Sequence, residues 1–478
     1  MMKRNLVILL ALVLTSYISF AQEDSTKVEA DSVKGKTKKD LPLKAERTIH
    51  IKTDEGSWLS LDVSPDGKTI AFDMLGDIYL LPINGGKAKR LTKGLAFDSQ
   101  PKFSPDGKTI LFASDRSGGN NAWTIDLESE ETKQITKGDN TNMQSAEWAP
   151  DGKYIVVSKG KRNMKLFLYH IDGGSGTQLI KKPEALKVHE PVFSPDGRYI
   201  WFSRRNGAWQ YNARFPQYQL GVYDRETGEM ETKTSRYGSA FAPTLSPDGK
   251  WLVYGSRWND QTGLISRNLK TGDEKWLAYP VQRDEQESIA PLGVLPAMSF
   301  TPDSKNLVAS YGGKIYSLPI NGGDAVNIPF EVDTELEVGP RLKFDYPISD
   351  EEMMTVTQIR DIKVSPDGKR AAFTALNRLY MVDLPDGKPK RITNFEFTEA
   401  QPTWSPDGSY IAFVTWSDKD GGNIYKVNTK GKAKPVKLTQ TPAIYSEPAW
   451  SFKSDRIVFL QGSKQTYQDG DGPFTFGT

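Results

Sequence analysis

Through most of the chain, apolar and polar positions alternate with a period of two, in short runs broken by Gly, Pro, Asn and Asp. Thr69-Ile70-Ala71-Phe72, Tyr154-Ile155-Val156-Val157 and Tyr410-Ile411-Ala412-Phe413 are such runs, rich in β-branched and aromatic side chains. This spacing predicts short β-strands. Almost no long stretch has the 3.6-residue apolar spacing of a helix, which excludes a helical solenoid.

The breaks follow a rule. Ser64-Pro65-Asp66-Gly67 returns at Ser104, Ala149, Ser194, Ser246, Thr301, Ser365 and Ser405, and in worn form at Ser451-Phe452-Lys453-Ser454-Asp455. The nine copies are separated by steps of 40, 45, 45, 52, 55, 64, 40 and 46 residues. In each copy Pro presets φ for a tight turn, Ser and Asp side chains bond nearby backbone N–H groups, and Gly tolerates positive φ. A short apolar stretch precedes the turn, as in Pro101-Lys102-Phe103, and an alternating run follows, so the two predict a hairpin. A third run (Asp77-Ile78-Tyr79-Leu80-Leu81), a glycine turn (Asn84-Gly85-Gly86) and a short fourth strand (Lys89-Arg90-Leu91-Thr92) complete the unit. Four antiparallel strands at a period in the forties predict an all-β fold, a β-propeller built of four-stranded antiparallel blades. A β-sandwich with recurrent turns would not need nine near-copies of one hairpin.

The rhythm also sets the boundaries. Six anchors run from Ser64 to Thr301, then residues 328–356 carry no repeat, and the rhythm resumes at Ile359. Nine blades exceed the usual upper range of about eight for one ring. The expectation is therefore a six-bladed ring over residues 47–330, a linker over 331–356, and the start of a second propeller over 357–478; a single eight- or nine-bladed ring is the rival. Arg47 to Lys52 reads as an N-terminal strand that completes the final blade of the ring. The chain stops at Thr478 without the last two strands of a blade, so a longer polypeptide is expected.

Residues 1–21 read as a secretory signal: Lys3 and Arg4, an apolar run from Leu6 to Leu14, and Ser19-Phe20-Ala21 at the cleavage position. Residues 22–46, polar and rich in Lys, Asp and Glu, read as a disordered tether. The expected location is the periplasm or the exterior of a bacterial cell, with no membrane span after signal cleavage. The chain has 62 Lys and Arg against 60 Asp and Glu, and losing Lys3 and Arg4 leaves it neutral. A nucleic-acid partner is disfavoured by that balance. The absence of cysteine excludes disulfides, thiolate metal sites and a cysteine nucleophile.

Ser114-Asp115-Arg116-Ser117-Gly118-Gly119 followed by Ala122-Trp123-Thr124-Ile125-Asp126 resembles the blade motif of TolB-type propellers, which also line the propellers of tricorn protease and prolyl oligopeptidase. Trp416-Ser417-Asp418 with Gly421-Gly422-Asn423-Ile424-Tyr425 is similar. Gly339-Pro340-Arg341-Leu342, the run from Leu379 to Thr393, and Gln401 to Gly408 look like the N-terminal part of large secreted bacterial proteins that join such propellers to a metal-dependent amidohydrolase domain. That resemblance implies a non-catalytic scaffold that binds or gates peptide-like substrate for a C-terminal hydrolase in cis, absent from this chain. The rival is a TolB-like interaction module of the cell envelope with no enzyme attached.

Catalytic candidates are scarce. Amidohydrolase chemistry needs a His-x-His pair with further His, Lys and Asp ligands. Only His50, His170 and His189 are present, unpaired and on or beside strands, so they read as packing residues. There is no Gly-x-Ser-x-Gly, and the Ser-Pro-Asp-Gly serines read as turn formers. Asp418-Lys419-Asp420-Gly421 and Asp469-Gly470-Asp471-Gly472 do not fit a calcium loop. No catalytic residue, metal ligand or cofactor is expected in this chain. One segment departs from the repeat template: the fourth copy carries Arg204, Arg205, Trp209, Tyr211 and Arg214, and the fifth adds Arg257 and Trp258 in the matching loop. Loops at a propeller mouth present binding groups, guanidinium forks hold carboxylates, and aromatic rings supply area. These seven residues are the candidate site for a protein or peptide ligand; a long hairpin packed on its neighbour is the plainer reading.

Overall fold

A computed structural model describes residues 44–468 apart from 139–141, 208–214, 342, 344, 432 and 433. Every repeat begins at the same turn. In the first copy the Ser64 hydroxyl donates to Asp66 Oδ1 at 2.6 Å, and that oxygen also accepts the Lys68 N–H at 3.1 Å. Ser64 Oγ in turn accepts the Thr69 N–H at 3.0 Å. The same side-chain bond joins Ser104 to Asp106, Ser246 to Asp248, Thr301 to Asp303, Ser365 to Asp367 and Ser405 to Asp407, each at 2.6 Å. The turn hydroxyls are thus occupied within their own turns.

Among the described residues, eight four-stranded antiparallel sheets and one two-stranded sheet follow from the nine copies, each with its strands hydrogen-bonded in sequence order. The first consists of Leu61–Val63, Thr69–Met74, Asp77–Pro82 and Lys89–Arg90. The eighth ends with Val436–Lys437, and the ninth holds Ile444–Trp450 and Ile457–Gly462. Apolar residues on both faces of a sheet require neighbours on both sides, and the core is accordingly a series of layers between sheets. Ala71 and Ile78 of the first sheet meet Phe103, Ile110 and Phe112 of the second. Leu111 and Ala122 of the second meet Met143, Trp148 and Ile155 of the third. The series continues to the sixth sheet, whose Val308 and Ile315 share a cluster with Leu61, Ile70 and Phe72 of the first. The Leu61 N–H donates to the Ala297 carbonyl at 3.0 Å across the same junction. Contacts therefore run in a closed circuit through sheets one to six. Sheets seven, eight and nine form a second series, with Ala372 and Leu379 against Trp404 and Phe413, then Val414 and Ile424 against Tyr445.

The N-terminal strand behaves differently from the expectation. The sixth sheet already has four strands of its own, ending at Val326–Ile328. Arg47–Thr53 pairs instead with the next strand, Phe330–Val338, antiparallel from Arg47↔Val338 to Thr53↔Val332. Phe330 and Glu331 of that strand pair in parallel with Gly86 and Lys87 beside the first sheet. The stretch expected to be a linker from 331 thus opens as a strand as far as Val338. Described residues 339–359 carry no helix or strand. The candidate signal, residues 1–21, lies outside the described residues, as does 22–43 of the candidate tether. Among the described residues, no helix is long and apolar enough to cross a membrane.

Candidate functional site: an axial mouth crossed by residues 279–298

The first strands of the six sheets in the circuit contact one another in turn, so they line the axis. Several carry a bulge near its start, with a register shift between Ser99 and Lys102, His189 and Val192, and Phe241 and Thr244. A bulge re-aims side chains. Gln100, Glu190 and Ala242 sit at these bulges with φ near 55°, 53° and 54°. Each strand then places one half-buried side chain at an equivalent position, namely Asp62, Lys102, Glu147, Val192, Thr244 and Ser299. Lys102 Nζ lies 3.1 Å from Glu147 Oε2. Burial pushes the Asp62 and Glu147 carboxyls above their usual range, while the two carboxylates more than offset the burial of Lys102 and hold it as a cation.

The fifth and sixth sheets are joined by residues 279–298, a connection without helix or strand. Asp284, Gln286, Ala290, Val294 and Leu295 are buried. The connection hydrogen-bonds to four repeats: Trp58 Nε1, just ahead of the first sheet, donates to Leu292 O at 3.2 Å, Gln144 Nε2 to Ile289 O at 2.8 Å, and Arg205 Nη1 to Gln286 O at 2.8 Å. The fourth tie is ionic. Arg257 Nε donates to Asp284 Oδ2 at 3.1 Å and Nη1 to Glu287 Oε1 at 2.6 Å, with Nη2 bonded to both carboxylates. Burial works against the Arg257 charge, but the two carboxylates more than offset it and raise its pKa. Glu190 closes the arrangement. Its Oε1 accepts the N–H groups of Val294 and Leu295, and its Oε2 accepts the Ala242 N–H at 2.9 Å. Burial raises the Glu190 pKa against these bonds. Gly293 allows the approach, since a Cβ there would lie 3.0 Å from Glu190 Oε1 and 2.9 Å from Leu295 O.

Beneath this connection lies a cavity of about 60 Å³, lined by Gln100, Lys102, Glu147, Glu190, Thr244 and Leu292 among others. That is room for a few water molecules.

The seven sequence-selected residues fall into three groups. Arg205 and Arg257 are brought together on the crossing connection. Arg204, on the opposite face of its strand, bonds Thr232 Oγ1, and Trp258 is 55% exposed at a hairpin end, its carbonyl accepting from the Tyr279 hydroxyl at 2.7 Å. Trp209, Tyr211 and Arg214 lie outside the described residues. Sequence reasoning missed Glu190, Asp284, Glu287 and the Asp62–Lys102–Glu147 set. The 55-residue step from Ser246 to Thr301 was the available signal for the crossing connection.

The histidines are separate. His50 Nε2 bonds Asp333 Oδ1 at 2.8 Å across the N-terminal ribbon, and His170 stacks edge-on with Tyr154. His189 is fully buried, and burial with Arg205 and Lys187 nearby holds its pKa down to about 3. Among the described residues no group of three His, Asp or Glu side chains is placed to hold a metal ion.

Sheets of four antiparallel strands, placed side by side about an axis and generated by one repeated turn, define a β-propeller protein. A model of the TolB beta propeller domain matches residues 39–211 and 351–471, more than half of the chain, and the chain belongs to that family. It is 32% identical over 170 residues to the Tol-Pal system protein TolB of Wolinella succinogenes, a match covering 33% of this chain and 39% of that protein. The Tol-Pal system protein TolB of Francisella tularensis is 26% identical over 325 residues, 63% of each chain. The crystal structure of the tricorn protease aligns over 85% of this chain and 47% of that one, at 15% identity and a TM-score of 0.45. The matches thus span less than two thirds of these relatives.

Proposed function

We propose that the chain is an exported propeller scaffold that binds protein or peptide and carries no catalytic machinery of its own. The observation behind this reading is family membership, together with relatives that are named components of the Tol-Pal system. Its location is the bacterial envelope, by analogy with those relatives and from the leader-like residues 1–21. The six-sheet circuit acts as one ring, and sheets seven to nine as the opening of a second propeller. Ligand contact falls to Arg204, Trp258 and the residues of the same hairpins, with no cofactor. Isothermal titration with unstructured peptides bearing a free carboxylate tests this. Saturable binding weakened at least tenfold in Arg204→Ala/Trp258→Ala supports it; full retention removes these residues from the site.

A second reading adds a hydrolase. The propeller then gates peptide-like substrate for a metal-dependent amidohydrolase domain in cis. The uncovered apolar residues of the seventh sheet, Ile362 and Val364, favour it, because a further domain or sheet would cover them. Dipeptide hydrolysis by the purified chain, with and without zinc, tests the scaffold claim: turnover by this chain would end it.

A further inference from the structure

We propose that residues 283–298 are a stopper that seals one mouth of the first ring, with Arg257 as its latch. The inference deepens the gating reading and rests on it for its biological use, but its physical content stands on the ring alone.

Three observations carry it. The segment crosses between the fifth and sixth sheets, yet its bonds reach Trp58 of the first repeat, Gln144 of the third and Glu190 of the fourth. A connection that only joined neighbours would not extend to the far side of the axis. Second, the segment is held mainly from outside itself. Among the described residues it has no strand or helix, and its internal backbone bonds are few, such as Glu285 N–H to Val294 O at 3.0 Å. Segments held by few ladder bonds open at lower free energy than the strands around them. Third, the space beneath it is a cavity rather than packed core. Gln100, which lines that cavity, is buried, and among the described residues its Nε2 has no hydrogen-bond partner. The axis thus holds a small void directly under the closure, its wall largely apolar but carrying Lys102 and Glu147.

The charged clasp lies at one end of the segment, where Arg257 bridges Asp284 and Glu287. Removing a single partner of such a buried pair leaves the others uncompensated, so the clasp holds or fails as a unit. The Glu190 carboxylate fixes the other end through the Val294 and Leu295 amides. With the clasp closed, this mouth leaves room for no more than a few water molecules; with it open, the void lined by Lys102, Glu147 and Thr244 is continuous with solvent at this mouth.

Amide hydrogen exchange on the whole chain tests the latch without any ligand, so its failure is separable from a failure of the binding reading. In the native protein the amides of Val294, Leu295 and Ala297 exchange slowly. In Arg257→Ala, and more mildly in Glu287→Gln, they exchange at least tenfold faster while the strand amides of Trp251–Trp258 keep their protection. The absence of cysteine permits a second readout: in Thr244→Cys, the thiol is labelled by a bulky maleimide at least tenfold faster when Arg257→Ala is added. Equal loss of protection in the segment and the surrounding strands in both variants would show an ordinary part of the ring core and overturn the proposal. So would unchanged exchange in both.

Discussion

Gly67 and Gly368 hold the same place in two copies of one turn, yet their surroundings differ. A Cβ on Gly67 would lie 3.3 Å from Pro302, the turn proline of the sixth copy; one on Gly368 would meet none of the described residues within 4 Å. Gly107 faces Pro65, Gly152 faces Pro105, Gly197 faces Pro150 and Gly249 faces Pro195 in the same way. Each turn in the closed circuit is thus seated against its predecessor, and the seventh copy has no predecessor to seat against. The strands before the two turns diverge likewise. Leu61 and Val63 are buried, whereas Ile362 and Val364 are more than half exposed. The two strands have similar local sequence patterns. Burial here is a property of the neighbouring sheet, and a strand pattern states only which residues are ready to be covered.

The contrast has measurable consequences. The largest is a matched pair of truncations. Leu61→Ala removes a fully buried side chain from the junction of the first and sixth sheets and is expected to cost about 2–5 kcal/mol. Ile362→Ala at the equivalent strand position, more than half exposed, is expected to stay within about 0.5 kcal/mol. Urea unfolding followed by tryptophan fluorescence checks both, and equal losses would break the comparison. Next is deletion of residues 44–53, which uncovers one edge of Phe330–Val338. Cross-strand pairs contribute roughly 0.2–1 kcal/mol each, so a loss of about 2 kcal/mol is expected in the six-sheet circuit and none in sheets seven to nine. Differential hydrogen exchange of the two regions reads this directly.

The smallest effect is shared by both regions. The Ser64 hydroxyl, with the Lys68 amide, holds Asp66 below its ordinary pKa of 3.8, and Ser365 with Lys369 does the same for Asp367. A depressed folded-state pKa gives stability that is present above pH 3.8 and lost as pH falls through the lower folded value. Asp66→Asn and Asp367→Asn should therefore flatten acid unfolding in that window by similar amounts, since these bonds lie inside the turn. A midpoint-against-pH series that separates the two variants would show that neighbouring sheets reach even these groups.

These differences explain what the sequence disclosed. All nine turns fall where Ser-Pro-Asp-Gly or its variants stand, because Pro, Gly and a bonding side chain act within a few residues. The strands after them, such as Thr69–Met74 and Tyr410–Trp416, follow from period-two alternation. Long-range pairings were hidden. Nothing local in Arg47–Thr53 specifies Phe330–Val338 as its partner, and the sixth sheet's fourth strand, only three residues long, was easily mistaken for a gap to be filled. The site was legible in part. Arg205 and Arg257 were visible as departures from the template, but Asp284 and Glu287 fall in a stretch with no alternation and no turn motif. An ion pair spanning 27 residues leaves no periodic trace.

The antiparallel ribbon at the start of the chain has a mechanical consequence. Arg47 pairs with Val338, so the polypeptide arrives and departs at the same end of the ribbon. Tension between the two flanking segments would load its hydrogen bonds one at a time, as in opening a zipper, rather than all at once in shear. The ribbon would then peel apart under low force while the sheets behind it stayed folded, giving up a defined length of slack before any blade was strained.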